Sequence, residues 1–214
     1  MAKTSLWDIK QELVVFLRNQ DLISIGTRGV TTSTDTGTFS AASTHTLATN
    51  PTLVKNVRSV TRGTLLVFGT DYIVNYATGV ITFTVAQTGA YTIIYDQGSN
   101  DKIFPDFPQP YLKIADFPRI AVDIISGATS EFGIGADVSQ SEYIVSIVCY
   151  DKDQDDVEAL IAAVRSDILD NKKNFYYIPF LTITSMGPLL ITPFGQNKIM
   201  QRNQDLMVKF IFES

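Results

Sequence analysis

The chain has 214 residues, of which 45% are hydrophobic and 18% charged, and its formal net charge is −5 at pH 7. This length can bury one good core, or one core and a small satellite domain. A charged fraction below the roughly 25% of ordinary domains hints that other subunits cover part of the surface. The negative balance argues against a non-specific nucleic-acid binder, because such a protein needs a basic face that releases counterions.

Cysteine content and hydropathy exclude further classes. The one cysteine, Cys149, lies within an apolar stretch, so an internal disulfide is impossible and we expect a buried thiol without chemistry. Residues 1–10 lack the long apolar run of a signal peptide, and no window approaches the roughly 20 apolar residues of a membrane span. We therefore expect a soluble protein made in the cytosol.

The first predicted element is a helix that begins at Thr4 or Ser5 and ends near Asn19. The side chains expected to form its apolar stripe are Leu6, Ile9, Leu13, Phe16 and Leu17. The side chains expected outside that stripe are Lys10, Gln11, Glu12 and Arg18. Trp7 lies just off the stripe, where we expect a core or subunit-contact residue.

Residues 26–52 differ in character, since they are rich in Thr, Ser, Ala and Gly and hold few large side chains. Such a stretch is either a mobile linker or a set of short strands in a β-rich module. We favour the partly ordered start of a module, because threonine, valine and Phe39 tolerate strands. The sole histidine, His45, lies here, and we expect it in an exposed loop without an acidic or thiol partner.

Residues 62–97 carry the clearest strand pattern. Glycine-containing turns divide them into four short strands, the last two of which meet at Gly89. The spacing predicts a tight hairpin turn between residues 76 and 80, with alternating apolar side chains packed across it. The region therefore predicts a self-contained antiparallel meander.

Four prolines punctuate residues 100–118 and forbid a long helix or a central strand there. We interpret this stretch as a semi-rigid crossover between two folded parts, with a PxxP-type ligand as the alternative. The predicted organisation is a discontinuous core of residues 1–28 and 100–214, interrupted by an inserted β module of residues 29–99.

After the crossover, an apolar strand at 119–126 leads into a long glycine-rich loop, residues 127–141. Two strands joined in this way make an extended hairpin whose tip we expect to be mobile. The tip carries charge and apolar area from Glu131, Phe132 and Ile134. These three residues are the candidate contacts with another subunit or with a tube in an assembly. The alternative is that Phe132 folds back onto its own domain.

The most regular part of the sequence is a strand at 143–150 followed by a helix that ends near Lys173. Asp151 or Asp153 can cap this helix, and the acidic cluster at its start complements the positive end of the helix dipole. The side chains expected on its apolar face are Val157, Leu160, Ile161, Val164, Ile168 and Leu169.

Three more apolar segments close the chain, at 175–185, 189–194 and 203–213. The last alternates apolar and polar side chains and predicts an edge or near-edge strand. Helices on one face of such strands make an α+β sandwich. The predicted fold class is therefore α+β, a mainly antiparallel sheet flanked by helices, with an inserted all-β meander module.

The motifs of common chemistries do not occur in the sequence. It has no glycine-rich phosphate loop and no nucleophile elbow, and nothing pairs Cys149 with His45. The acidic run from Asp151 to Asp156 is superficially like a calcium loop, but it lacks the central glycine and the closing glutamate. We therefore expect no catalytic residue, no cofactor and no metal site, and not an enzyme.

Four segments together resemble a known family: SLWDIKQELVVFLRN, FPRIAVDIIS, EYIVSIVCYDKDQDDVEALIAAVRSDIL and DLMVKFIFE. Their arrangement resembles the tail terminator and tail completion proteins of tailed bacteriophages and archaeal viruses, over about residues 1–27 and 116–214. The resemblance is one of pattern and not of an invariant motif. In that family, six copies of a helix-flanked sheet form a ring that caps the tail tube. The loop at 127–141 matches in position a hairpin that the family uses for ring or tube contacts.

The resemblance implies a structural virion protein at the head–tail junction, made in the host cytoplasm. It would be a homo-hexamer whose partners are the tail tube protein and a neck or head-completion protein, with DNA passing through the ring but not bound specifically. One alternative is another head–tail connector or neck ring protein. The inserted module departs from the compact family pattern and resembles small β modules of tailed-virus structural proteins. An alternative of a different class is therefore a carbohydrate-binding or adhesin-type module. The side chains expected to stack on sugars in that case are Tyr72, Tyr76, Tyr91 and Tyr95.

Overall fold

The computed structural model describes residues 6–47, 53–99, 101–105, 117–131, 138–194 and 197–213. It confirms the predicted α+β class, with few helices and mostly antiparallel sheets. The chain divides into two compact units, a core unit of residues 1–23 and 102–214 and an inserted unit of residues 24–101. The inserted unit thus begins and ends a few residues outside the 29–99 expected from the sequence.

Three helices and eleven strands are described. The helices are α1 (Leu6–Asn19), α2 (Ile25–Arg28) and α3 (Gln154–Asn171). The strands of the inserted unit are β1 (Thr31–Thr46), β2 (Val54–Arg62), β3 (Thr64–Leu65), β4 (Tyr72–Asn75) and β5 (Val80–Gln97). The strands of the core unit are β6 (Ile103–Phe104), β7 (Arg119–Glu131), β8 (Val138–Asp151), β9 (Phe180–Met186), β10 (Leu190–Phe194) and β11 (Asn197–Glu213).

The core unit is a single sheet with α1 and α3 packed on one face. The strand order is β10-β11-β8-β7-β6, with β9 also paired to β11, and among the described strands of this unit only β6 and β7 form a parallel pair. Alternate residues of the three long strands enter the apolar core beneath the helices. The sheet residues buried in that core are Ile120, Val122, Val145, Ile147, Cys149, Leu206 and Val208. Burial of these side chains is the main source of stability of this layer.

Helix α3 forms as its sequence predicts. Asp153 is the N-cap, and its carboxylate accepts a hydrogen bond of 2.8 Å from the Asp155 backbone N–H. Five of the six apolar residues predicted to face the core are buried. Leu169, the sixth, is 44% exposed, because it lies at the edge of the apolar stripe next to Ile168, which takes the inward position.

Helix α1 buries Ile9, Leu13 and Leu17 as expected, but two polar predictions for it are wrong. Glu12 and Arg18 are buried and not outside. The Glu12 carboxylate accepts hydrogen bonds from backbone N–H groups at the segment after α3, and the Arg18 guanidinium donates a hydrogen bond of 2.7 Å to a backbone carbonyl of β6. Each side chain is buried because it bonds backbone groups of a neighbouring segment.

The prediction of an edge or near-edge strand at the C-terminus is confirmed in its second form, because β11 lies one strand in from the edge of the sheet. It pairs with β8 from Met200 to Glu213, and on its other side with β10 and then β9. Residues 187–189 connect β9 to β10, and the outer neighbour of β11 changes from one strand to the other at this connection. The alternation along β11 arises because the face away from the helices carries hydrogen-bonding side chains such as Asn203 and Asp205.

The inserted unit is organised around β5, and not as a simple meander. The residues predicted as two strands that meet at Gly89 form one strand of 18 residues, which pairs with β1, β2 and β4. Gly89 adopts φ +110°, so it makes a corner within the strand and not a turn between strands. The predicted hairpin is confirmed, since Tyr72 lies opposite Phe83 and Val74 opposite Ile81.

Residues 31–46, expected to be at most partly ordered, form the long strand β1 against β5. This strand curls back on itself at Ala41, whose φ is +52°. A straight strand would separate Asp35 from His45 by about 33 Å, yet Nε2 of His45 lies 2.8 Å from Oδ2 of Asp35. His45 is therefore half-buried in a strand with an acidic partner, and its assignment to a loop without one is corrected.

Candidate assembly surface

The candidate site is an arm formed by the distal halves of β7 and β8. Up to Ile124, β7 packs beneath the helices, and a β-bulge then leaves Ile125 unpaired and 51% exposed. A bulge of this kind bends the strand and increases its twist. Residues 125–130 beyond it are all exposed. The pairing of β7 with β8 continues to Glu131, which lies opposite Ser139. At 3.3 Å per residue, the hairpin therefore extends about 17 Å past the bulge.

The predicted loop of residues 127–141 is much shorter than expected. Most of it is paired strand, since β7 ends at Glu131 and β8 begins at Val138. The two strands of the predicted extended hairpin are therefore present and paired up to Glu131 and Val138. Of the candidate contact residues, Glu131 is the last residue of β7, whereas Phe132 and Ile134 lie outside the described residues.

The arm has a third strand, because β11 follows β8 to Glu213, opposite Val138. An ion pair joins the two strands where Lys209 lies opposite Glu142, with Nζ 2.5 Å from Oε1. The hydrogen bond from Lys209 lowers the pKa of Glu142. Opposite charges at paired positions favour this register, although the exposed pair adds little stability of its own.

A close contact between a glycine and an aromatic ring lies at the base of the arm. Gly127 lies opposite Tyr143, and a Cβ at Gly127 would come within 2.4 Å of the Tyr143 ring. The ring itself packs against the apolar core under the helices. A side chain at position 127 would therefore displace the Tyr143 ring from its place against the core.

Polar side chains bond one another within the arm. Thr129 and Ser141 share a hydrogen bond of 2.8 Å across the ladder, and Gln140 donates one of 2.5 Å to Glu142. Among the described residues, β7 has a second strand neighbour only at Ile120 and Ala121. The part of the arm that can be described thus offers hydroxyl, amide and backbone groups, and no large apolar patch.

The four tyrosines predicted as a sugar-stacking surface do not form one. Tyr72 and Tyr95 are buried in the core of the inserted unit, and Tyr76 packs against it. Tyr91 stacks on Phe39 with a centroid distance of 4.0 Å and an interplanar angle of 15°. These rings therefore contribute to packing, as tyrosines that alternate along a strand commonly do.

The inserted unit contains a buried charge cluster that sequence reasoning did not find. The guanidinium of Arg28 is fully buried and donates to both oxygens of Asp101, at 3.0 and 2.9 Å. It also lies 3.2 Å from Asp96, which accepts two further bonds from Arg58 and one from Thr32. Arg28 and Asp101 lie near the two ends of the unit, so this cluster ties its first and last segments together.

Two other predicted features are located in the core unit. Cys149 is fully buried in β8, and burial raises the pKa of its thiol. The acidic run includes the cap of α3, and burial raises the pKa of Asp151. Within the described residues, no three His, Cys, Asp or Glu side chains are grouped so that they could hold a metal ion.

No family model matches this chain, and no curated protein matches it in sequence. Over the part of the chain that the structure describes, no helix is both long enough and apolar enough to cross a membrane.

Proposed function

We propose that this protein is a structural virion protein that forms a ring at the end of the tail tube and joins it to the head or neck. The resemblance of four segments to tail terminator and tail completion proteins suggests this role. The structural observation that carries it is the three-stranded arm, which extends from a helix-flanked antiparallel sheet past the bulge at Ile125.

The proposed mechanism is geometric and needs no catalytic group. The core units of six copies form the ring, and the arms contact neighbouring subunits or the last ring of the tube. Once one face of the ring fits the tube, no further tube subunit can add. The runner-up role, a neck or head–tail connector ring, uses the same ring without tube capping.

A charge placed on the exposed part of the arm tests this proposal. We expect the double variant Ala128→Lys, Ser130→Lys to lose tube capping in electron micrographs of purified tail tubes, because two ammonium groups would have to be desolvated in the contact. Thr44→Lys, at an exposed strand position of the inserted unit, is the matched control. Capping that is equal in the arm variant and the control would refute a role of the arm.

A ring that never associates with tubes, but still forms, would favour the neck or connector role. Ring formation and tube capping are therefore measured on the same samples, by light scattering and by electron microscopy.

A further inference from the structure

A pocket of about 290 Å³ lies on the sheet face opposite the helices of the core unit. It exists because the outer neighbour of β11 changes from β9 to β10, and residues 187–189 bulge between the two strands. Val148 and Tyr150 of β8 contribute to its floor, and Pro188 and Leu190 are among its walls.

The bulge is held in place by its own polar contacts. The Gly187 N–H donates a hydrogen bond of 2.9 Å to the Asn203 carbonyl, and a Cβ at Gly187 would come within 1.8 Å of the Asn203 amide oxygen. The Arg202 guanidinium donates to the Gly187 carbonyl at 3.0 Å and to the Glu158 carboxylate. These hydrogen bonds hold the wall of the pocket in place, so the pocket is a defined part of this sheet and not a gap left by loose packing.

Two hydrogen-bonding groups on the pocket lining have no protein partner among the described residues. They are the hydroxyl of Tyr150, a side chain that is nine-tenths buried, and the amide of Gln201. These two residues lie on neighbouring strands, because Gln201 is paired with Tyr150 across the β8–β11 ladder. Burial raises the pKa of Tyr150 to about 12, so the phenol stays neutral and can donate as well as accept.

The remaining lining narrows the chemistry of a ligand. The one ionised side chain on it, Arg202, already bonds a carboxylate and a carbonyl, so an anionic or cationic ligand would find no free counter-charge. Ser146 and Asn203 bond each other weakly and share Asp205, which fixes their orientation. A neutral ligand with adjacent hydroxyls could form hydrogen bonds with the Tyr150 hydroxyl and the Gln201 amide. An apolar ring face on the same ligand would pack against the aliphatic walls of the pocket.

We propose that this pocket binds one neutral sugar residue, with vicinal hydroxyls bonded to Tyr150 and Gln201 and the C–H face of the ring against Val148, Pro188 and Leu190. The volume admits a single ring and not a longer chain in the pocket. The bound sugar is either a free monosaccharide or the terminal unit of a glycan. This inference is independent of ring formation and of tube binding.

The experiment is a titration of the ¹⁵N-labelled full chain with the methyl glycosides of glucose, galactose, mannose and N-acetylglucosamine, followed by amide chemical shifts. We expect saturable shifts for at least one glycoside at the amides of residues 148–150, 188–190 and 201–203. Gln201→Leu and Tyr150→Phe should each weaken binding about 3- to 10-fold, as the loss of one neutral hydrogen bond does. Tyr176→Phe, an exposed tyrosine outside the lining, is the matched control and should leave the affinity unchanged.

Several results would overturn the proposal. They are an absence of saturable shifts with every glycoside, shifts that persist at equal affinity in both pocket variants, and pocket shifts that depend on protein concentration alone. The last result would mean that another copy of the chain fills the pocket. If Tyr150→Phe does not fold, Gln201→Leu carries the test alone, since its side chain is only partly buried. Comparison with an oligosaccharide that ends in the same sugar separates a free monosaccharide from a glycan terminus.

Discussion

Replacement of Arg28 by alanine tests whether the buried charge cluster closes the inserted unit. The substitution removes a guanidinium with no exposed surface, and it takes two charge-assisted bonds from Asp101 and one from Asp96. Asp101 is itself 5% exposed, so its carboxylate would be left buried with its bidentate partner gone. Breaking a buried pair in this way costs about 3–5 kcal/mol.

Arg58→Ala is the matched control, because Asp96 then keeps its bonds from Arg28 and Thr32. Asp96 is then still buried but keeps its ion pair with Arg28, so we expect a smaller loss of about 1–3 kcal/mol. The double variant Arg28→Met, Asp101→Leu should be more stable than Arg28→Met alone, since it also removes the buried carboxylate that has lost its bidentate partner.

Hydrogen exchange of the full chain, followed by mass spectrometry, measures these losses in the inserted unit separately from the core unit. The free energy of opening that exchange gives for the β2 and β5 amides is compared between each variant and the unaltered chain. A loss below about 1 kcal/mol for Arg28→Ala, or one equal to that of Arg58→Ala, would refute the reasoning that this cluster joins the two ends of the unit.

Three further predictions concern the core unit. Burial and the nearby Asp8 raise the pKa of Glu12 from 4.5 to about 7, although two backbone hydrogen bonds act to lower it. Between these two pH values the folded state therefore binds more protons than the unfolded state. The free energy of unfolding should fall by up to about 3 kcal/mol as the pH rises from 4.5 to 7, and urea titrations should show a smaller fall for Glu12→Gln. Gly127→Ala should destabilise the arm by about 1–3 kcal/mol through the Tyr143 ring, and unchanged exchange of the β7–β8 amides would contradict this. Native Cys149 should resist iodoacetamide at pH 8 until urea unfolds the chain, and rapid alkylation of the folded protein, measured by mass, would contradict its burial.

The elements that the sequence predicts well are those in which several local signals agree. In α3, an N-cap, an acidic first turn and an apolar stripe all indicate the same helix, and the structure has it from Gln154 to Asn171. The hairpin between β4 and β5 was predictable for the same reason, since the turn spacing and the cross-strand apolar pairs agree.

The errors arise where long-range pairing decides the structure. Gly89 has the local signature of a turn, yet β1 continues to pair along β5 on both sides of it. The contact between Asp35 and His45 depends on the curl of β1 at Ala41, which alanine does not signal, because φ > 0 is unfavourable for a residue with a side chain.

The candidate assembly surface could be predicted in part. The two strands and their hairpin connection followed from the pattern, but the length of the paired arm did not, because its residues are small and polar and resemble a loop. The contact between Gly127 and Tyr143 was not predictable either, since it requires the register of β7 against β8.

The most direct test of the central claim is the mass in solution, by light scattering across a concentration series, of the full chain and of a chain that lacks residues 24–101. Ile23 and Ile103 pack in the same apolar core, so a short Gly-Ser linker can join the two ends. We predict that both chains form a ring of six copies, alone or on addition of tail tubes, because the proposed function assigns assembly to the core unit. A full chain that stays monomeric at every concentration, with and without tubes, would contradict the account.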